Sequence, residues 1–271
     1  MQDGVRGRVT SIDHFLQYHV NRLVDHVNLG PTPTLPVNVS ELAKLRGVTS
    51  VEKRKMIPEA VLGLEPPGFR IYLQSNFENF PGAIIRQRFS LAHEIAHTFF
   101  YELSDGKWRP MRDAPRGDSL EAACQKGAGL LLVPRRFLAQ EIRNIGEPIG
   151  AKHTLELARR FEVSTEVMIR RLDEDGAFAT TDIAVVLVRR PPGSSAVIEY
   201  ATYPPWLKSL LPIPRRGASF SSWVQADELN NFGGDVSALF EDGLERSAVS
   251  SSLRASAFRI SGSQHIVELR I

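Results

Sequence analysis

The segment RQRFSLAHEIAHTFF, at residues 86–100, constrains the fold of this chain more than any other part of it. Its apolar residues recur at helical spacing, which predicts an α-helix with one face buried in the core. Side chains four residues apart on a helix lie one turn apart on the same face. His93 and His97 are therefore expected to project side by side from one rigid helix, with Glu94 next to the first of them.

This H-E-x-x-H arrangement is typical of a metal site with a catalytic base. Two imidazoles at that spacing can bind one ion, and the glutamate is close enough to act on a molecule in the open coordination position. The alternative is that two ordinary histidines lie on a partly buried helix. A tetrahedral catalytic site also needs a third protein ligand.

Glu121 is the leading candidate for the third ligand. It lies 24 residues after His97, at the start of a second predicted helix, EAACQKGAGLLLVP, whose small residues allow a close approach to the first. Weaker candidates are Glu102, Asp105, Asp113 and Asp118, of which the first points elsewhere on its helix and the others belong to a predicted loop. Cys124 is a conceivable ligand, but a small buried thiol is the favoured interpretation.

The composition is that of an ordinary globular protein, with 42% hydrophobic and 24% charged residues. A net charge of +2 gives no general attraction to nucleic acid or to anionic membranes. One cysteine excludes an intrachain disulfide, and the sequence shows neither a secretion signal nor an apolar run of membrane length. We therefore expect a cytoplasmic protein with no membrane partner.

The predicted fold class is α+β: a mainly helical domain with a small sheet, followed by a mainly β domain. Helices are predicted at 11–27, 40–47, 120–132, 134–144, 154–161 and 164–173, and a strand is predicted at 68–75. The helix that carries His93 and His97 is predicted to run up to residue 101 or 102. Beyond residue 178, β-branched and aromatic residues dominate the segments IAVVLVRR, AVIEYATY, ASFSSWV and HIVELRI. The predicted domains are 1–176 and 177–271.

Several segments together resemble the ImmA/IrrE family of metallo-endopeptidases. RQRFSLAHEIAHTFF is similar to the family signature R-F-[ST]-L-A-H-E-[LI]-[GA]-H, and EAACQKGAGLLLVP is similar to its second block, E-x-x-A-N-x-F-A-A-x-L-L-M-P. FEVSTEVMIRRL and PVNVSELAKLRGV resemble two further family segments. The second block departs from the family at Gln125, Gly127 and Gly129, which affects local packing and not the ligand set.

The resemblance implies a zincin-like peptidase whose zinc ion is bound by His93, His97 and Glu121, with manganese as an alternative ion. Glu94 would accept a proton from the attacking water and pass it to the leaving nitrogen. Family members typically cleave a helix-turn-helix repressor of the Xre type in a stress response or a mobile element. The strand GFRIYLQS, at 68–75, is expected to offer an edge with which an extended substrate can pair.

Two other function classes compete with a peptidase. Residues 157–172, within the helical pair 154–173, are predicted to form two short helices joined by a V-S turn, and they carry four arginines. This pattern is typical of a helix-turn-helix, so a DNA-binding regulator is one alternative. The other is a non-catalytic sensor or antitoxin-like binding protein. For that class the β region matters most, because it is compatible with the GAF-like sensory domain that some family members carry.

Overall fold

The structure is a computed structural model that describes residues 11–27, 34–76, 82–179, 181–189, 196–204, 219–220, 254–261 and 264–270. The chain divides into two compact units, the first formed by residues 1–137 and 160–164, the second by 138–159 and 165–271. The domain boundary at 176–177 stays a prediction.

The helices of the first unit bury the faces that their apolar periodicity indicates. They are α1 (Ile12–Val27), α2 (Val39–Leu45), α3 (Ala83–His97) and α4 (Asp118–Leu132), and α5 (Arg135–Ile145) begins in this unit. In α1, for example, Leu16, Val20 and Leu23 are buried at helical spacing. The side chain of Asn38 accepts a hydrogen bond from the N–H of Glu41 and caps α2.

The long helix ends earlier than predicted. It stops at His97, and a short 3₁₀ turn, Thr98–Phe100, replaces the expected extension to residue 101 or 102. The Thr98 hydroxyl donates to the Ile95 carbonyl at 2.5 Å, a local bond that competes with continuation of the helix. Tyr101 then begins a strand.

A three-stranded sheet packs beside α3. Its strands are β1 (Val48–Arg54), β2 (Ala60–Glu65) and β3 (Gly68–Gln74), in the order β1-β3-β2. β3 pairs in parallel with β1 and antiparallel with β2. The predicted strand is thus the central one, and the expectation that it offers a free edge is wrong because both of its sides are hydrogen-bonded. The edge next to α3 belongs to β2, which the sequence analysis did not predict.

A hairpin occupies part of the predicted loop 104–118. Its strands are β4 (Tyr101–Ser104) and β5 (Lys107–Pro110). The two turn residues, Asp105 and Gly106, have φ of 53° and 70°, as expected for the Asp-Gly turns that close tight hairpins. Trp108 anchors the hairpin, since its ring lies 5.0 Å from that of Phe69 in β3.

The second unit combines helices with an antiparallel sheet. The helices are α6 (Ala151–Phe161), whose last two residues belong to the first unit, and α7 (Thr165–Glu174). The strands are β6 (Ile183–Arg189), β7 (Ala196–Thr202), β8 (Ser219–Phe220), β9 (Arg254–Ser261) and β10 (Gln264–Arg270), in the order β8-β7-β6-β10-β9. The remainder of the predicted strand ASFSSWV lies outside the described residues, and β9 was not predicted.

Helices and sheets in separate segments make the protein α+β, as predicted. Within the second unit, β6 is buried over Ile183–Val188, as its apolar sequence indicates. The buried carboxylate of Glu268 in β10 accepts the N–H of Ala151 at 2.7 Å and so satisfies the first turn of α6.

Candidate metal centre

Three side chains from α3 and α4 meet at one point. The Nε2 atoms of His93 and His97 are 3.1 Å apart. Glu121 from α4 places Oε2 3.2 Å from the first of these nitrogens and Oε1 3.5 Å from the second. All three predicted ligands are therefore brought together by two helices that pack directly on each other.

These distances fit the geometry of a bound metal ion. In tetrahedral coordination with bonds of about 2.0–2.1 Å, neighbouring ligand atoms are about 3.3 Å apart. The three separations of 3.1, 3.2 and 3.5 Å lie close to that value. Two imidazole nitrogens and one carboxylate are also a donor set that transition metals accept.

Both imidazoles are held in the form that binds metals. Burial lowers the pKa of His93 and of His97, and the charge of Glu121 opposes this effect in both. The neighbouring His93 lowers the pKa of His97 further. The Nε2 atom of His93 faces His97 and Glu121, and its Nδ1 atom is buried without a hydrogen-bond partner among the described residues.

Glu94 lies beside the two histidines in a different environment. One carboxylate oxygen of Glu94 and one ring nitrogen of each imidazole all lie within 4.8 Å of one another, and Glu94 is 7% exposed. Burial, followed by the charge of Glu121, raises the pKa of Glu94 to about 7, and a backbone hydrogen bond from Leu62 lowers it. A carboxyl group with a pKa near neutrality suits a group that both accepts and donates a proton.

The weaker ligand candidates do not join this cluster. Glu102 and Asp105 are in the β4–β5 hairpin, Asp113 is in the loop after it, and Asp118 is in the first turn of α4. The residues that line the cleft around the histidines include none of these four. Cys124 is fully buried, and burial raises the pKa of its thiol, which agrees with the interpretation as a small apolar residue.

An open cleft of about 640 Å³ surrounds the cluster. One wall is the edge strand, with Ala60–Leu62, and another is the segment 110–116 with the start of α4. Arg116 is the one cation among the described residues that line the cleft. None of the wall residues in β2 was singled out from the sequence, because this strand is short and half-exposed and carries no periodic signal that indicates a binding surface.

Glu59 joins the edge strand to the helix that carries the candidate metal ligands. Its carboxylate accepts a hydrogen bond from the buried Ser90 hydroxyl at 3.2 Å and pairs with Arg86. Its carbonyl accepts the N–H of Gln74 at 2.9 Å. The start of β2 is thereby fixed relative to α3, and with it one wall of the cleft.

Residues 157–172 form the two successive helices that were predicted, within α6 and α7. The two arginines of α7 make contacts within the second unit. Arg170 pairs with Glu166 at 2.8 Å and lies 4.5 Å from the ring of Tyr200 in β7. Arg171 is 3% exposed and pairs with Glu174. Burial thus withdraws Arg171 from a DNA groove, whereas Arg159 and Arg160 of α6 are exposed, so the DNA-binding alternative stays a prediction.

The class of protein follows from the helix, the cluster and the sequence around them: the chain carries a metallopeptidase domain. Residues 84–173 match the IrrE N-terminal-like domain. This part of the chain is therefore similar to the ImmA/IrrE metallopeptidases, in agreement with the sequence resemblance.

Two curated relatives carry the name radiation response metalloprotease IrrE. The protein of Deinococcus radiodurans is 33% identical over 112 residues, which are 40% of this chain and 32% of the relative. That of Deinococcus deserti is 37% identical over 93 residues, 33% of this chain and 32% of the relative. The chain thus matches about a third of the length of each. No helix in the described parts of the chain is long and apolar enough to cross a bilayer.

Proposed function

We propose that this protein is a zinc-dependent endopeptidase. The observation that carries the proposal is the contact of one carboxylate, that of Glu121, with the Nε2 atoms of both His93 and His97. Beside this contact lies the buried carboxyl of Glu94. Three ligands leave a fourth tetrahedral position for water, which is the arrangement of catalytic rather than structural zinc sites.

His93, His97 and Glu121 would hold the ion, and Glu94 would move the proton. A bound zinc ion supplies a Lewis acid that polarises a carbonyl and makes water more acidic. Glu94 accepts the proton of the attacking water and donates it to the leaving nitrogen of the peptide bond. Its burial favours the neutral form, so the carboxyl can hold a proton between the two transfers at neutral pH.

The edge of β2 is suited to orient an extended substrate over the metal ligands. The backbone N–H of Leu62 hydrogen-bonds to Glu94 and therefore points away from β3. Because alternate residues of an antiparallel strand share a hydrogen-bonding side, Ala60 and Leu64 present their backbone groups to the same edge. A peptide that adds to this edge lies beside the proton acceptor.

We propose a transcriptional repressor of the helix-turn-helix, Xre type as the substrate, in a stress response or in a mobile element. The support is the resemblance to the ImmA/IrrE family and the name of the two Deinococcus relatives, which describes them as radiation response metalloproteases. Zinc is favoured over manganese because two imidazoles and one carboxylate are a common ligand set of catalytic zinc.

Cleavage assays with candidate repressors test this function. The zinc-loaded protein is incubated with purified repressors encoded next to its gene, and products are mapped by mass spectrometry. We expect a single cut in one repressor by the wild type and none by Glu94→Gln, which retains the metal ligands. A Glu94→Gln variant that cuts at the wild-type rate would contradict the assigned mechanism.

A further inference from the structure

Arg46 contacts the C-terminal end of the helix that carries the candidate metal ligands. It follows α2, and its side chain reaches Thr98, the residue directly after His97. The Arg46 Nε–H donates to Thr98 Oγ1 at 3.0 Å, and an Nη2–H donates to the Thr98 carbonyl. One side chain from a distant part of the sequence thus makes two hydrogen bonds to the end of α3.

The bonds continue into the last turn of α3. Thr98 is fully buried, and its hydroxyl donates in turn to the Ile95 carbonyl at 2.5 Å. The last carbonyls of a helix lack partners within the helix and need them from elsewhere. Arg46 adds a donor to the Thr98 carbonyl, which also accepts the N–H of Tyr101, and it orients the hydroxyl that donates to the Ile95 carbonyl.

Aromatic rings hold the guanidinium in place. Its carbon lies 5.1 Å from the ring centre of Trp108 and 5.7 Å from that of Phe99. Gly47 has a φ of +80°, and a Cβ added there would be 3.4 Å from Trp108, so the indole packs against the backbone beside Arg46. Burial, and then the charge of Arg22, lower the pKa of Arg46 to about 10, which leaves it cationic at pH 7.

His97 is the residue whose position depends most on this cap. It is the last residue of α3, and helix ends fray unless their terminal groups are satisfied. A small shift of the terminal turn would change the 3.1 Å separation between the Nε2 atoms of His93 and His97. A cation at a helix C-terminus also interacts favourably with the helix dipole.

We propose that Arg46 is a positioning residue of the metal centre, which by capping α3 at Thr98 holds His97 at the distance from His93 that a metal ion requires. The assignment rests on the proposed function, because it concerns how the same three ligands bind zinc. It is separate from catalysis, since Arg46 is not among the residues that line the cleft.

Zinc affinity tests the assignment without any substrate. Arg46→Met keeps an unbranched apolar side chain between the rings but removes both hydrogen bonds to Thr98. We expect it to raise the zinc dissociation constant about 10–100-fold, the usual effect of losing a group that orients a metal ligand. The measurement is competition with a chromogenic chelator on protein shown to be folded by circular dichroism. Arg46→Lys and Thr98→Val, which each keep part of the network, should fall between this variant and the wild type.

A second readout separates positioning from a general loss of stability. In protein loaded with Co²⁺, the visible absorption bands report the coordination geometry, and we expect them to weaken or shift in Arg46→Met. Arg22→Met is the matched control, because it removes an exposed arginine whose charge acts on Arg46 but which has no hydrogen bond to α3. A merely structural role would lower the urea midpoint and leave the zinc constant of the folded protein and the cobalt bands unchanged.

The outcomes are distinct. A zinc dissociation constant of folded Arg46→Met within about twofold of the wild type would overturn the assignment of Arg46 and leave the peptidase intact. Wild-type protein that binds no zinc would overturn the proposed function and the assignment with it. If Arg46→Met does not fold, the same comparison is made with Arg46→Lys and Thr98→Val.

Discussion

Gly127 on α4 lies against Ala96 on α3 so closely that a Cβ added to the glycine would be 2.8 Å from the Ala96 Cβ. This approach of the two helices brings Glu121, six residues before the glycine, within hydrogen-bonding distance of His93. The family block that this segment resembles has phenylalanine at the position of Gly127. In this structure a side chain larger than that of glycine does not fit between the two helices without a shift of one of them.

Replacing Gly127 with alanine is expected to weaken both the fold and the metal site. The added methyl group would force α4 away from α3, and overpacking of this kind costs about 1–3 kcal/mol of unfolding free energy. The displaced Glu121 should also bind zinc less tightly. Urea unfolding and chelator competition measure the two effects, with Ala122→Ser on the exposed side of α4 as the control. A variant with wild-type stability and zinc affinity would show that the contact is not restrictive.

His19 is expected to make the zinc-free protein sensitive to acid. Burial, followed by the charges of Arg46 and Arg22, lowers the pKa of His19 to about 4. The unfolded histidine has a pKa of about 6.5, so the neutral form stabilises the fold fully above that pH, and this stability is lost as the pH falls from about 6.5 towards 4. After allowance for solvent screening, we expect the loss to be about 1–2 kcal/mol.

The measurement is the free energy of unfolding between pH 7 and pH 4 for the wild type and His19→Gln, both treated with chelator. The variant should lose less stability over this range, because glutamine does not titrate. The ring contact of His19 with Phe99, at a centroid distance of 5.1 Å, is absent from the variant at every pH. Its loss therefore lowers the whole stability curve by a constant amount and does not change the dependence on pH. If the unfolding free energies of the two proteins changed with pH in parallel, His19 would not be the source of the acid sensitivity.

Ala60→Pro is expected to impair substrate binding while preserving zinc. The N–H of Ala60 faces the same free edge of β2 as that of Leu62 but is not the one that bonds to Glu94, and proline is tolerated at the first residue of an edge strand, so the variant should fold. Loss of one backbone donor to the substrate should lower kcat/KM roughly tenfold on the identified repressor. Ala60→Ser, which retains the N–H, is the control. Equal kcat/KM for the two variants would mean that the substrate does not pair with this edge.

Direct DNA binding is not expected. The arginines of α7 form ion pairs with Glu166 and Glu174, and the helix packs on β7. A gel-shift titration with mixed duplex DNA at low salt measures this, and we expect no complex. A salt-dependent shift that weakens in Arg170→Ala would instead support the regulator alternative.

The catalytic helix could be predicted from sequence because two strong signals coincide in it. Helical periodicity and the H-E-x-x-H spacing both involve α3, and the small residues of α4 indicated a helix that could pack closely on it. Glu121 then followed as the carboxylate at the start of that second helix. The structure brings Glu121 to His93 and His97, while its role as a ligand stays a proposal.

The cleft walls could not be predicted for a physical reason. β1 is mostly exposed and β2 is largely half-exposed, and their sequences, VTSVEKR and AVLGLE, lack a clear two-residue alternation of apolar and polar residues. The strand that was predicted, β3, has the clearest alternation because it is central, and for the same reason it cannot offer an edge. The contact of Arg46 with Thr98 joins residues 52 apart, and no local pattern marks it.

The central claim is that His93, His97 and Glu121 bind a catalytic zinc ion. Metal analysis of purified wild type, Glu121→Ala and Glu94→Gln tests it most directly, because Glu94 is assigned to proton transfer and not to the ligand set. We expect about one zinc per chain in the wild type and in Glu94→Gln, and a large loss in Glu121→Ala. Stoichiometric zinc in Glu121→Ala, or none in the wild type, would contradict this account.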